Sequence, residues 1–198
     1  EKVLFEGDGY SDEWHHEAER RGLPNVRTTP LALDAYVTDK AKRLFEENGV
    51  LTHIELEARH EIELEKYIKK VQIEARIMGE LCSSHILPAA VKYMNLLIAN
   101  IEGLKNAGLP ESAYANQKQI LTKLTEHVSK MSDLVEKMIE ARKVCNAMTD
   151  TRTKAIGYQS QVKDAFFDSI RYHVDKLELL TDDQYWPLPK YREMLFLR

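Results

Sequence analysis

The chain has 198 residues, of which 28 are basic and 32 are acidic, giving a formal net charge of -4. Because the two signs are mixed along the sequence, no basic stripe is available to neutralise phosphates, and nucleic acid is not expected as a partner. No apolar run approaches the roughly 18 residues that a membrane span needs, so no membrane partner is expected either. Cys82 and Cys145 lack metal-ligand spacing and indicate two reduced, structural thiols in a cytoplasmic protein.

The first fifty residues are predicted to form short helices separated by turns. Ser11 is a good N-cap for one short helix, and one or two more are expected before Gly49 closes the segment. The rest of the chain contains few glycines and prolines, which favours long helices. We therefore divide the chain into a junction segment with short helices over residues 1–50 and a long-helix bundle domain over residues 51–198.

The most distinctive prediction is a single helix over residues 52–107. Thr52 and Glu55 have the spacing of a capping box at its start. Pro88 has no N–H to donate to the Ser84 carbonyl, so a kink is expected at Pro88, with the apolar seam displaced by two residues beyond it. The apolar positions before the kink are Leu64, Ile68, Val71, Ala75, Met78, Cys82, His85 and Ala89, and those fitted after it are Leu87, Val91, Met94, Ile98 and Ile101.

Two more long helices are predicted, over residues 111–148 and 151–180. Their short connections make sequential neighbours antiparallel. The predicted fold is therefore all-α, an antiparallel bundle of three long helices, the first kinked at Pro88, with short N-terminal helices and a C-terminal aromatic and proline segment. By length, the charged segment 53–68 projects beyond the second helix, and its apolar side needs a cover from the preceding helices or from a further domain.

No catalytic or cofactor-binding motif is present. Glu57 and His60 form a Glu-x-x-His pair, but a carboxylate-bridged di-iron bundle needs a second copy and two further glutamates. A metal site is therefore not expected, although a carboxylate metal bundle that holds iron or manganese remains a third hypothesis. His85 and His173 fall on apolar seams, where hydrogen-bonded core histidines are the favoured interpretation. Glycine-rich phosphate loops and nucleophile motifs are also missing.

Trp186 and Tyr191 belong to an aromatic and proline cluster, YWPLPKY, near the C-terminus. The cluster is too apolar for a free tail. It either packs against the end of the bundle or contacts another domain, and the sequence favours neither.

Three segments of the sequence carry a more specific signal. They are FEGDGYSDEW with EAERRGLPN in residues 5–25, HILPAAVKY in residues 85–93, and WPLPKYRE in residues 186–193. Together, in this order and spacing, they resemble the C-terminal region of type III glutamine synthetases. The resemblance runs from the first residues to the last.

The resemblance implies a parent enzyme that joins ammonia to glutamate using ATP and Mg or Mn, as a cytoplasmic homo-oligomer of stacked rings. In that family the metal, ATP and glutamate sites lie in a catalytic barrel upstream of the matched region. No catalytic, cofactor-binding or metal residue is therefore assigned to this chain, and a structural, assembly or regulatory role is expected. The absence of an initial methionine agrees with a fragment.

On this interpretation the first residues form the junction with the catalytic domain, which makes Phe5, Tyr10 and Trp14 inter-domain contact residues, with Trp186 and Tyr191 as further candidates. The alternative is a stand-alone helical interaction module. Such a module would bind a partner helix through residues 53–68 or through the C-terminal aromatics.

Overall fold

The computed structural model describes residues 4–195, with the side chains of residues 191 and 192 left out. Within this range every regular element is helical, which confirms the all-α prediction. The chain divides into two compact units, the first ending at Tyr67 and the second beginning at Ile68.

The first unit starts with three short helices, α1 (Asp12–Arg20), α2 (Thr29–Leu33) and α3 (Asp39–Glu47). Ser11 is the predicted N-cap of α1, whereas the N-cap Thr38 of α3 was not predicted. Ser11 accepts a hydrogen bond from the Trp14 N–H at the start of α1, and Thr38 accepts one from the Ala41 N–H at the start of α3. Gly49 adopts a positive φ of 65° where this segment ends, a conformation that glycine tolerates without strain. A 3-10 turn (Asp34–Val37) lies between α2 and α3.

The long helix α4 (His53–Leu81) begins with the predicted capping box. The Thr52 N–H donates to Glu55 Oε2 at 2.8 Å, and the Glu55 N–H donates to Thr52 Oγ1 at 3.3 Å. These bonds satisfy backbone donors that the first turn cannot pair internally, and they confirm this helix start.

Directly before Pro88 the helix changes its hydrogen-bond pattern. A π-helical turn, Cys82–Ile86, connects α4 to α5 (Leu87–Asn106), and the Leu87 N–H donates to the Cys82 carbonyl five residues back. The wider turn adds a residue to the local repeat at the place where the proline removes a donor. The predicted kink at Pro88 stays a prediction.

This π turn corrects the predicted seam. Cys82 and Ile86 are buried whereas His85 is exposed, so the expectation that His85 is a core histidine was wrong. Beyond the proline, Val91 and Ile98 are 39% and 40% exposed, so the two-residue displacement was also wrong. The extra residue of the π turn keeps one face inward. The buried positions on that face are Leu64, Ile68, Val71, Ala75, Cys82, Ile86, Ala89, Ala90 and Leu97.

The remaining helices follow the predicted order with different local geometry. A 3-10 turn (Glu111–Ala113) precedes α6 (Ala115–Asn146). The third long stretch contains α7 (Thr151–Gly157), a ten-residue π-helical stretch (Tyr158–Phe167) and α8 (Asp168–Leu180), followed later by α9 (Tyr191–Met194). The sequence did not predict this π stretch.

Contacts within the second unit give the direction of its helices. Gln72 Nε2 donates to Asn146 Oδ1 at 2.9 Å, and Thr125 Oγ1 lies 3.6 Å from Met94 Sδ. From the first contact to the second, the residue number rises from 72 to 94 along α4 and α5 and falls from 146 to 125 along α6. The neighbouring helices are therefore antiparallel. Fully or almost fully buried side chains form the core of this unit, among them Ile86, Leu124, Met131, Val135, Met138, Tyr158, Val162, Ile170 and Leu177.

Candidate functional site

An apolar groove lies between α4 and α8 in the second unit. It has a volume of about 480 Å³, within the size range of ligand and partner sites. α4 and the first π turn form one wall, and the end of the second π stretch with α8 forms the other. The apolar lining residues are Ile73, Ile77, Met78, Leu81, Cys82, Ile86, Phe167, Ile170, Val174 and Leu188, and the charged ones are Glu74 and Arg171.

The groove is open to solvent along α4. Ile73 is 60% exposed and Ile77 is 49% exposed, although both are large aliphatic residues. Cys82 lies at the inner side of the groove, where burial raises the pKa of its thiol to about 11. A thiol in this state is neutral at physiological pH and contributes as a small apolar group. The groove therefore offers apolar contact and no nucleophile.

A partly buried set of hydrogen bonds connects α4, α6 and the second π stretch. The Tyr158 hydroxyl donates to Asn146 Oδ1 at 2.6 Å, and the same oxygen accepts from Gln72 Nε2. Burial raises the pKa of Tyr158, because its ionised form would lose solvation. Cys145 is also buried, and its Sγ lies 4.0 Å from Gln161 Oε1. These hydrogen bonds satisfy polar groups inside the unit and fix the relation of three helices.

Two histidines meet between α6 and α8. His127 Nδ1 lies 2.9 Å from His173 Nδ1, so one ring donates and the other accepts. Burial lowers the pKa of both histidines, and for His173 the neighbouring His127 lowers it further. His173 is hydrogen-bonded, as the sequence predicts, but it is half-buried and does not belong to the core. Its partner His127 was not predicted, because nothing in the spacing pairs positions 46 residues apart.

The Glu-x-x-His pair in α4 has partners in the first unit. Lys42 Nζ lies 2.6 Å from Glu57 Oε1, and this hydrogen bond lowers the Glu57 pKa. His60 Nε2 lies 3.3 Å from Asp34 Oδ1 without hydrogen-bond alignment. Among residues 4–195 no group of three or more His, Cys, Asp or Glu side chains is placed to hold a metal ion. No described helix is long and apolar enough to cross a membrane.

The predicted aromatic contact residues near the N-terminus form a small cluster on the first unit. The Phe5 and Trp14 rings have centroids 4.8 Å apart, and the Arg21 guanidinium lies 5.9 Å from the Trp14 ring. Hydrogen bonds from Arg20 and Arg21 lower the pKa of the half-buried Glu17 to about 2. Tyr10 stands apart with 95% of its side chain exposed.

The C-terminal aromatics behave differently. Trp186 is only 8% exposed, and the Tyr185 ring has its centroid 6.0 Å from that of Tyr93. Lys190 Nζ holds this segment by donating to the Thr181 carbonyl at 3.1 Å. The side chain of Tyr191 lies outside the described residues, so its predicted contact stays a prediction.

Ile73 and Ile77 were not predicted from the sequence as site residues. They stand four apart on α4, beside the buried positions and not among them. Their signal was a second apolar stripe that continues to Leu81. An exposed stripe and a buried one look alike in the sequence, because only packing decides which of them is covered.

Comparison with known proteins places the chain among glutamine synthetases. The family model described as glutamine synthetase C-terminal domain matches residues 1–105. Over its full length the chain is 43% identical to a glutamine synthetase of Bacteroides fragilis, and it is 32% identical to a type-3 glutamine synthetase of Dictyostelium discoideum. A glutamine synthetase of Butyrivibrio fibrisolvens is 34% identical over 98% of the chain. The chain spans 27–28% of the length of these relatives.

Proposed function

We propose that this chain, which belongs to the glutamine synthetase C-terminal domain family, forms the C-terminal part of a type III glutamine synthetase. The observation that carries the proposal is the 43% identity that extends over the whole chain while covering only 27% of the relative. The parent enzyme would ligate ammonia to glutamate with ATP. This chain would serve packing, assembly or regulation of that enzyme without catalytic residues of its own.

The side chains of the described residues support a non-catalytic role. The local interactions of the first unit include helix caps and ion pairs, such as Glu57 with Lys42 and Glu17 with Arg20 and Arg21. Cys82, Cys145 and Tyr158 are buried, and burial raises their pKa values, so these three groups stay neutral. Over residues 4–195, no three His, Cys, Asp or Glu side chains lie together in a set that fits a divalent metal ion. We therefore assign ATP and Mg or Mn to the catalytic part of the parent.

The catalytic domain of the same parent chain is the first partner we propose. The first fourteen residues contain three aromatic side chains, Phe5, Tyr10 and Trp14. The ring of Tyr10 is almost fully exposed. An almost fully exposed tyrosine suits an inter-domain contact, because its ring is apolar and its hydroxyl is polar. Contacts through Trp186 and Tyr191 remain proposals of the same kind. We further propose a cytoplasmic homo-oligomer for the parent.

The test of the proposal is a glutamine-formation assay with glutamate, ammonia, ATP and Mg or Mn. We expect the purified chain to show no turnover and the full-length parent to show it. Specific turnover by the purified chain would contradict the proposal. In the parent, a Tyr10→Ala substitution should weaken attachment of this domain, measured as faster proteolysis at the junction. Leu179→Ala, which shortens another exposed side chain, is the matched control.

The alternative of a stand-alone interaction module makes a different prediction about the gene. If the reading frame encodes a catalytic region ahead of Glu1, the chain is part of an enzyme. A reading frame that encodes this chain alone would favour the module. Sequencing the DNA upstream of the codon for Glu1 separates the two.

A further inference from the structure

The apolar groove has an exposed apolar edge as well as an apolar floor. Ile73 and Ile77 stand one helical turn apart on α4, and each leaves about half or more of its side chain in water. Aliphatic side chains held in this way form a ready contact surface, since covering them removes apolar area from water. The α4 side of the groove therefore carries two protruding side chains, and the groove next to them can receive aliphatic side chains of the same kind.

The rims of the groove carry opposite charges. Glu74 lies on the α4 side, between the two isoleucines in sequence, and has no ion-pair partner among the described residues. Arg171 lies on the α8 side, and its Nε is 3.5 Å from Asp175 Oδ2 on the next turn of the same helix. That pair is exposed on both sides, and such pairs contribute little to stability. Arg171 can therefore turn to another carboxylate at small cost.

The groove surface is self-complementary, because its two sides carry opposite charges and it has both protruding and receiving apolar parts. A two-fold axis through the groove would place Glu74 of one copy beside Arg171 of the other, and would repeat the pair on the opposite side. The same rotation would bring Ile73 and Ile77 of each copy to the apolar groove of the other. Any other partner would have to supply both protruding aliphatic side chains and both charges in the reverse order.

We propose that the groove lined by Ile73, Ile77, Phe167, Val174 and Leu188 is a self-association surface, and that its occupant is a second copy of this chain. The contact is isologous, with an apolar centre and two Glu74–Arg171 ion pairs at its rim. Apolar centres with charged rims are the usual anatomy of protein interfaces. The proposal concerns this chain by itself and does not depend on the function of the parent.

The first experiment measures the association state of the purified chain. Sedimentation velocity from about 1 to 500 µM should show a monomer–dimer equilibrium whose dissociation constant rises about tenfold or more on Ile73→Glu. Leu96→Glu is the matched control, because Leu96 is an exposed leucine that does not line the groove. A monomer over the whole range, or an Ile73→Glu variant that dimerises as tightly as the wild type, would overturn the proposal.

The second experiment tests the geometry by exchanging charges. Glu74→Arg and Arg171→Glu should each weaken the dimer, whereas the double variant should recover most of the wild-type affinity. A double variant as weak as the single ones would refute the two-fold ion pairs. Circular dichroism checks that each variant keeps its helices, which is expected because both side chains lie on the surface. Failure here leaves the glutamine-formation test unaffected, so the two proposals are separable.

Discussion

The two units of the chain reach order by different means. In the first unit, α1, α3 and α4 begin at side-chain caps, ion pairs such as Lys42–Glu57 connect elements, and only a few residues are buried. In the second unit, long helices bury a continuous set of apolar side chains and contain two π-helical stretches. Caps depend on neighbouring residues, whereas core packing depends on distant ones. Local interactions between neighbouring residues therefore stabilise the first unit, whereas tertiary packing stabilises the second.

The largest effect is expected from opening the core of the second unit. Ile170 is fully buried, so Ile170→Ala should lower the free energy of unfolding by about 3 kcal/mol, from lost apolar burial and the cavity left behind. Chemical denaturation measures this change. Leu179→Ala on the same helix is the control, because Leu179 is 78% exposed and should change stability very little. A loss below about 1 kcal/mol for Ile170→Ala would show that packing is not what holds this unit.

A smaller effect is expected at a close approach between α6 and α7. A Cβ added to Gly157 would lie 3.1 Å from Met148 Sδ and 3.3 Å from Cys145 Sγ, so these neighbours would have to move. Gly157→Ala should lose about 1 kcal/mol, because overpacking outweighs the gain in helix propensity.

The matched control for this substitution is Gly103→Ala. Gly103 is helical and a Cβ added there meets nothing within 4 Å, so the alanine should stabilise the protein by about 0.5–1 kcal/mol. Thermal unfolding of both variants gives the comparison. Equal stabilisation at the two sites would mean that the contact at Gly157 is loose.

The capping box is the corresponding test of the first unit. Thr52→Ala removes the acceptor for the Glu55 N–H and should destabilise the first turn of α4 by about 1 kcal/mol. Faster amide exchange at Glu55 measures this effect. Thr122→Ala is the control, since its hydroxyl donates to the Lys118 carbonyl within α6 and caps no helix end. Unchanged exchange at Glu55 would mean that the cap contributes nothing.

The smallest effect is a pH dependence that belongs to the second unit. The pKa values of His127 and His173 are lowered in the folded state, so folding favours their neutral forms. The stability they contribute is complete above the unfolded pKa of about 6.5, and it is lost as pH falls through the lowered folded values. The positive charge of Lys130 lowers the pKa of both histidines. Lys176 also lowers the pKa of His127, whereas the negative charge of Glu126 raises it.

Denaturation between about pH 8 and 5 measures this dependence. In the double variant His127→Gln with His173→Gln, the loss of stability over this interval should be smaller. His85→Gln is the control, because His85 is exposed. Variants that all follow the wild-type slope would show that the histidine pair is not responsible.

Much of the fold could be predicted because its signals are local. The caps at Ser11, Thr52 and Glu55 were identified from single residues and their spacing, and the structure confirms them. The family was likewise recognisable from three short segments, in agreement with the family match. The seam beyond Pro88 was wrong, because sequence periodicity assumes a constant helical repeat and the π turn over Cys82–Ile86 changes that repeat.

The candidate site was less predictable than the fold. Ile73 and Ile77 looked like ordinary helical apolar residues until the structure placed them beside Phe167, Val174 and Leu188, which are about a hundred positions away in the sequence. His127 and His173 likewise meet only because α6 and α8 are antiparallel neighbours. Spacing along one helix reports which residues share a face. It does not report what another helix brings to that face.

The sequence by itself determined the helical class, the capped starts of α1 and α4, and membership in the glutamine synthetase C-terminal domain family. These properties depend on backbone hydrogen bonds within a turn and on the identity of short segments. Only the tertiary structure decided which apolar stripe of α4 is buried, where the helices adopt π geometry and which side chains form the groove. These depend on contacts between distant residues, where packing decides between patterns that are equivalent along the chain.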